Sequence, residues 1–337
     1  MKAKDIVTVP DLIPLTHCPG TLATGFDTYS KTALNRVFQG KKVHHILPYV
    51  SPASNAETDV LFEENRSRMS ISGVQEKFSV LLEKNKLRLI VENEKGTYIL
   101  KPIPGAGKKP DQMPANEHLT MQIARQTYAI ETAENAMIFF QDGTPAYITK
   151  RFDVQNDGSK LAQEDFASIA QRTPQTHGTH YKYLGNYLEL FELLQNHLPA
   201  YKIEAPKLLK LLVFNYLFSN GDAHLKNLSV IETSMGDYRL SPAYDLLNSR
   251  IHIADKDFAL NDGLLPKNLA QGKIYSQFSK LAELAGISEK NFQNIMELML
   301  SKSNLVEKMV AASFLSETTK RNYFQSYQGR LNQLVKV

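Results

Sequence analysis

The chain has 337 residues, enough for one large domain or two lobes with substantial cores. With 42% hydrophobic and 22% charged residues it reads as an ordinary globular protein, and a net charge of +4 is too mild to argue for nucleic acid by itself. One cysteine, Cys18, excludes an internal disulfide and suits a reducing cytoplasm, and the absence of a long apolar run argues against a membrane span or signal peptide.

The first 66 residues are mixed, broken by Pro10, Pro14, Pro19, Gly20, Pro48 and Pro52. Within them Thr28 to Phe38 fits a short helix, with Ser30 as a cap and Leu34, Val37 and Phe38 as its apolar stripe. Lys41-Lys42-Val43-His44-His45 is a basic cluster, read as a charged surface turn or, less readily, a phosphate-backbone contact. Three short strands follow: Phe78 to Leu82, Leu87 to Val91 and Thr97 to Lys101. Turn material separates them at Lys84–Lys86 and Asn93–Gly96. A Pro/Gly/Lys loop spans Pro102 to Pro114 and leads into a helix from about Ala115 to Gln126. Ile138–Phe140 and Tyr147–Thr149 flank Asp142-Gly143, a hairpin signal.

Beyond Arg151-Phe152-Asp153 the chain turns helical. Helical spacing covers Tyr187 to His197 and Pro206 to Ser219, and residues 275 to 335 hold two or three more helices, including Glu289–Ser301 and Glu317–Val335. Strands first and helices later predict an α+β protein of two lobes with a cleft, residues 1–148 forming a strand-rich N-terminal lobe and 149–337 a helical C-terminal lobe.

The chemistry concentrates in Ser219-Asn220-Gly221-Asp222-Ala223-His224-Leu225-Lys226-Asn227 and, after a strand-turn-strand (Leu228 to Ile231, then Tyr238 to Leu240), in Ser241-Pro242-Ala243-Tyr244-Asp245. Phosphoryl transfer needs a carboxylate to take the proton of the attacking hydroxyl, and an amide with a second carboxylate to hold magnesium. In protein kinases the base Asp and the metal Asn stand five positions apart, the interval between Asp222 and Asn227. The His follows the Asp here, so the loop is not the ordinary eukaryotic one. The bland alternative is a polar turn after the Pro206–Ser219 helix, with Asp222 capping and Asp245 opening the next helix.

Lys226 is expected to neutralise charge on the transferring group, and His224 to orient the loop or serve a structural hydrogen bond. Lys101, closing an apolar strand, is either a solvated strand end or a phosphate-binding lysine. Glu117 is its candidate ion-pair partner, or else an acid complementing a helix dipole. Ser70 to Lys77 carries one glycine, Gly73, and is neither a Walker loop nor GxGxxG. Ser70 and Ser72 are placed to be phosphorylated. Arg172 to His180 reads as a substrate-facing loop or a solvated linker.

Six motifs, in this order, resemble the HipA family of bacterial Ser/Thr kinase toxins. They are Ser72-Gly73-Val74-Gln75-Glu76-Lys77, Ile99-Leu100-Lys101-Pro102, Asn116-Glu117-His118, Lys150-Arg151-Phe152-Asp153, the Gly221–Asn227 loop and Ser241–Asp245. The resemblance covers about residue 70 to the C-terminus and is greatest to the short HipT subtype, which lacks most of HipA's extra N-terminal subdomain. It implies a two-lobed protein-kinase-like fold of the HipA type, with a strand-rich N-lobe and an all-helical C-lobe. It implies an ATP- and Mg2+-dependent serine/threonine kinase, the toxin of a toxin–antitoxin system, with an aminoacyl-tRNA synthetase as acceptor. A HipS-like small antitoxin and a HipB-like helix-turn-helix protein are the implied partners, DNA being contacted through the latter.

Residue by residue, the resemblance makes Asp222 the catalytic base, assisted by Lys226 and His224, and Asn227 and Asp245 the magnesium ligands. Val74, Gln75, Glu76, Lys77, Phe78 and Ser79 would form the loop over the nucleotide, and Lys101 would bind phosphates. Lys150 and Phe152 would offer backbone contacts to adenine, and Arg151, His224, Asn227, Tyr244 and Asp245 complete the nucleotide set. Ser72 aligns with the inhibitory autophosphorylation site, Ser70 with the added site of the HipT subtype. The Pro102–Pro114 loop would become ordered on nucleotide binding. Ala223 stands where the family commonly has Arg, which removes or moves that residue's phosphate contact. Two other readings stay open: a small-molecule or lipid kinase on the same scaffold, and a silent binding subunit of a DNA-bound repressor complex.

Overall fold

The computed structural model describes residues 14–52, 76–155, 157–254 and 256–335. The chain divides into two compact units, Met1–His118 with Glu134–Arg151, and Leu119–Ala133 with Phe152–Val337.

The first unit is built on a five-stranded antiparallel sheet in the order β2-β1-β3-β5-β4. Its strands are β1 (Phe78–Glu83), β2 (Lys86–Leu89), β3 (Tyr98–Lys101), β4 (Asn135–Phe139) and β5 (Pro145–Lys150). Register follows the side chains: Phe78 faces Leu100 and Val80 faces Tyr98, so that both pairs bury one face. Lys84 takes the left-handed conformation that closes the β1–β2 hairpin. Gly96 is forced by close approach, because a Cβ there would strike Ser79 Oγ and come within 3.0 Å of the Val80 nitrogen. The Asp142-Gly143 turn joins β4 to β5, with Asp142 Oδ1 accepting from the Thr144 N–H at 3.0 Å.

Helix α1 (Lys31–Phe38) covers the sheet with Ala33, Val37 and Phe38, and Ser30 caps it as the sequence suggests, its Oγ accepting from the Ala33 N–H. Cys18 is fully buried beside that cap; its sulfur accepts from the backbone N–H of Ser30 at 3.1 Å and of Gly20 at 3.4 Å.

Helix α2 (Met113–Gln126) begins two residues before the sequence expectation, and the division between the units falls within it. The second unit holds short helices α3 (Phe166–Ile169) and α4 (Pro174–His177), then α5 (Leu188–His197) and α6 (Tyr201–Leu217). Four helices rather than two or three close the chain: α7 (Ile274–Leu284), α8 (Glu289–Leu300), α9 (Ser303–Ala311) and α10 (Glu317–Val335). Helix α6 is buried nearly all round from Leu208 to Leu217, which marks it as the central helix of this unit. Phe214 and Phe218 stack at 4.4 Å, and Phe218 stacks in turn on Tyr327 of α10 at 5.0 Å. The sequence places the start of α6 at Pro206, but the helix begins at Tyr201. A proline at its sixth position forfeits one backbone bond, and burial of Glu204 and Ala205 carries the helix through.

The second unit is also not wholly helical. It contains a three-stranded antiparallel sheet in the order β6-β7-β8, made of β6 (Gln163–Asp165), β7 (Ser229–Glu232) and β8 (Tyr238–Leu240). β7 and β8 are the two strands expected beyond Asn227; β6 is polar and partly exposed, with no apolar alternation to announce it. Among the described residues, no helix is long and apolar enough to cross a membrane.

Candidate active site

The loop that carries Asp222 is locked by its own backbone. Helix α6 ends at Leu217 with Phe218 as its C-cap, and Ser219 turns the chain through the left-handed region, which frees the next residues from the helix. The Asn220 N–H returns to the Asn215 carbonyl at 2.8 Å, and the His224 N–H donates to the Asp222 carbonyl at 2.7 Å. A 3-10 turn at Leu225–Asn227 brings the Asn227 side chain back, where its Nδ2 donates to the Asp222 carbonyl at 2.9 Å. That bond commits the amide nitrogen to the protein and leaves carbonyl Oδ1 as the group to offer a cation. The Tyr187 hydroxyl donates to the Ala223 carbonyl at 2.8 Å and fixes the loop from α5's side.

Asp222 keeps a side chain 41% exposed. Its Oδ1 accepts from the Tyr183 hydroxyl at 3.0 Å, and His224 Nε2 lies 3.8 Å away. Burial pushes its carboxyl above the usual range, and nearby Asp245 adds to this; Tyr183 and Lys182 pull the other way, without prevailing. A carboxylate raised in this manner is a better proton acceptor than a solvated one. His224 is driven down to about 4, by burial first and then by Lys182, so its ring is neutral at pH 7. It rests edge-on to Tyr183, ring centres 5.1 Å apart. Asp245 follows β8 in the left-handed conformation, a strained setting that an Asp side chain tolerates better than most. Its neighbour Tyr244 donates to the Lys226 carbonyl at 3.0 Å, which brings the two chemistry-bearing segments together, and packs 5.8 Å from Phe152.

The side-chain oxygens of Asn227 and Asp245 are hard donors, the kind that Mg2+ takes. They are too few for a self-sufficient protein cage, which suits an ion that keeps waters and is shared with substrate phosphates. Among the described residues no group of three His, Cys, Asp or Glu forms a separate metal cluster.

Lys226 is engaged by the protein itself, Nζ lying 2.7 Å from Asp165 Oδ2. Asp165 ends β6 and caps α3, accepting from the Ser168 N–H at 2.9 Å. In the first unit, Lys101 and Glu117 form a buried ion pair at 2.7 Å, with side chains 8% and 2% exposed, and Lys101 Nζ sits 5.4 Å from the Tyr147 ring centre. The question the sequence left open about Glu117 is answered in favour of pairing.

Glu76 is exposed and Lys77 half-buried ahead of β1, Phe78 and Ser79 are buried within it, and Phe78 is part of the hydrophobic core. Lys150 ends β5, its N–H bonded to the Glu134 carbonyl, and the Arg151 N–H bonds the Thr97 carbonyl. Ser70, Ser72, Val74 and Gln75 lie outside the described residues.

Sequence reasoning missed Tyr183, Lys182 and Asp165. A pocket of about 480 Å3 opens beside Asp222, with His180, Tyr183, Ile253, Lys256 and Phe258 in its walls. His180 is thereby the member of the Arg172–His180 stretch that comes to the site; Arg172 itself is paired with Glu189 at 2.6 Å.

An α+β fold with this loop pair is of the protein-kinase type, and comparison with known proteins specifies it. Residues 69–307 match the HipA-like C-terminal domain, and the chain belongs to that family. It is 31% identical over 256 residues to a protein named "Putative kinase Y4dM" from Sinorhizobium fredii, covering 71% of this chain and 59% of that protein. A Haemophilus influenzae protein, likewise named only as a kinase of that provisional kind, is 24% identical over 227 residues, covering 65% of this chain and 63% of its own length. The chain thus spans about three fifths of these relatives. Among solved structures, HipA from the Shewanella oneidensis MR-1 HipA–HipB–operator DNA complex superposes with a TM-score of 0.61 at 18% identity, covering 86% of this chain and 72% of that one. The Helicobacter pylori proinflammatory kinase CtkA superposes with a TM-score of 0.51 at 15% identity, covering 75% and 92%.

Proposed function

We propose that this chain is an ATP-dependent serine/threonine protein kinase and the toxin of a bacterial toxin–antitoxin system. The observation that carries the reading is the arrangement around Asp222: a carboxyl raised by burial, an amide oxygen of Asn227 set free by a backbone bond, and Asp245 close enough to raise Asp222 further. In this reading Asp222 accepts the proton of the acceptor hydroxyl as that oxygen attacks the terminal phosphorus of ATP, the bond from that phosphorus to the bridging β-phosphate oxygen breaks, and ADP leaves. Asn227 and Asp245 would hold Mg2+, which when bound would offset the negative charge of the phosphates. Neutral His224 and the Tyr183 hydroxyl keep the Asp222 carboxylate oriented. Lys226, bridged to Asp165, holds β6 against the loop and lends positive charge to the transferring group.

Glu76, Lys77, Phe78 and Ser79, with Val74 and Gln75, form the nucleotide-covering loop in this proposal. Lys101, oriented by Glu117, binds phosphates, and Lys150, Arg151, Phe152 and Tyr244 border the base. Residues 1–148 act as the nucleotide lobe and 149–337 as the catalytic lobe. The protein works in the cytoplasm on a translation component, an aminoacyl-tRNA synthetase. A HipS-like small protein and a HipB-like helix-turn-helix protein restrain it as in the short HipT subtype; the Shewanella neighbour, found with HipB and operator DNA, supports a partner of that kind. Self-phosphorylation at Ser70 and Ser72 inhibits the enzyme, each phosphate adding close to two negative charges near the nucleotide.

Purified protein incubated with radiolabelled ATP and Mg2+ tests the reading. Label should enter the protein itself, and Asp222→Asn should reduce it by about 100-fold or more. Ser70→Ala combined with Ser72→Ala should remove self-label, leave transfer to acceptors intact and raise toxicity without partners. Label confined to lipids or small molecules would overturn protein specificity, and no transfer to anything would overturn the enzyme.

A further inference from the structure

The stretch after Asp245 contains no α-helix until α7, among the described residues, yet it is tied at several points between Ser249 and Asp262. At its start the Ser249 hydroxyl donates to the Ser219 carbonyl and accepts from the Gly221 N–H, both at 2.9 Å. At its end the Asn261 N–H donates to the Tyr183 carbonyl at 2.8 Å and the Asp262 N–H to the Gly185 carbonyl at 3.0 Å. Between these ties, Asp255 apart, Ile253, Ala254, Lys256, Phe258 and Ala259 form the wall of the pocket that opens on Asp222.

The middle of the wall is held by charge. Asp257 Oδ1 accepts from Arg330 at 2.6 Å and from Arg250 at 2.7 Å. Arg330, on α10, is only 3% exposed, and its guanidinium lies 4.6 Å from the Tyr216 ring centre. Its remaining donors reach Gln333 Oε1 at 3.2 Å and Ser219 Oγ at 3.5 Å. One buried planar fork therefore touches both the residue that opens the Asp222 loop and the residue at the centre of the facing wall. Lys could not reproduce that geometry, because its single ammonium lacks the fixed fork. Phe258, next to Asp257, stacks on the same Tyr216 ring at 5.5 Å, so the wall is anchored by packing as well.

We propose that Arg330 is a positioning residue for the acceptor: through Asp257 it holds the Ser249–Asn261 wall at a fixed distance from Asp222, so that a hydroxyl-bearing protein segment is presented to the base. This rests on the kinase reading and adds to it that the acceptor wall is ordered by a permanent carboxylate between two arginines. No phosphate on this segment is needed to build the acceptor site.

The test compares the wild type with Asp257→Asn, Arg330→Lys, Arg330→Met and Arg250→Gln, using the best peptide from a Ser- or Thr-centred library as acceptor. Asp257→Asn and Arg330→Met should raise the KM for peptide about tenfold while the KM for ATP stays within about twofold. Arg330→Lys should restore part of the loss, and Arg250→Gln, at the surface, should give a smaller change in the same direction. If Arg330→Met does not fold, Asp257→Asn, which keeps the side-chain shape, carries the test alone. An unchanged peptide KM, or peptide KM, ATP KM and thermal stability all moving together, would overturn the positioning role. A wild type that binds nucleotide but phosphorylates nothing would instead sink the kinase reading, and this proposal with it.

Discussion

Tyr183 and Asp222 meet at 3.0 Å, and that contact favours the ionised carboxylate, because a hydroxyl donor stabilises the charged acceptor. Removing it in Tyr183→Phe should move the Asp222 carboxyl further up. The acidic limb of the pH–rate profile should then shift to higher pH; a limb that stays in place would mean that Asp222 is not the titrating base. Asp222 and Asn227 stand out in the sequence because their five-residue interval lies in one unbroken stretch, and Asp245 because a short hairpin separates it from them. Tyr183 and Asp165 leave no such trace. They reach the loop from 39 and 61 positions away, and a tyrosine between a lysine and a leucine or an acid before a phenylalanine has many ordinary explanations. Asp257 and Arg330 are hidden for the same reason, at a separation of 73.

At the scale of elements, β3 and α2 are joined by Lys101 and Glu117. The pair is buried, so removing one partner leaves a charge in a poor dielectric. Glu117→Ala should lower stability by about 3–5 kcal/mol, measured by denaturant unfolding. Lys101→Met with Glu117→Leu should recover much of that loss while leaving transfer abolished, which separates the fold's demand from the chemistry's. Strands β1 to β5 were readable because each combines branched residues with turn material at its ends, and α1 because Ser30 precedes an apolar stripe. β6 was not, since three polar residues become a strand only by pairing with β7. The onset of α6 was misplaced for a related reason: a local rule about proline yielded to packing around Glu204 and Ala205.

For the whole molecule, the order of strands before helices was enough to read the α+β class, and neighbours at 18% and 15% identity share the fold, so patterning rather than particular residues specifies it. Two buried histidines, His118 and His224, and the half-buried His45 impose a common pH response. His45 and His224 are lowered to about 4 and His118 to about 3, with burial the largest cause in each. An unfolded chain protonates them near their ordinary value of about 6.5, so it binds more protons than the folded one below that pH. Their contribution is present above pH 6.5 and is lost as pH falls toward 4. The melting temperature should therefore drop between pH 7 and pH 5, and His45→Gln with His118→Gln should flatten that slope.

The lone thiol has a practical corollary. Cys18 is sealed beneath the Ser30 cap, so a maleimide or disulfide reagent can reach it only when the first unit opens. Its labelling rate, followed with and without nucleotide, would time that opening without any added probe, and cysteines introduced elsewhere would be read against a silent background.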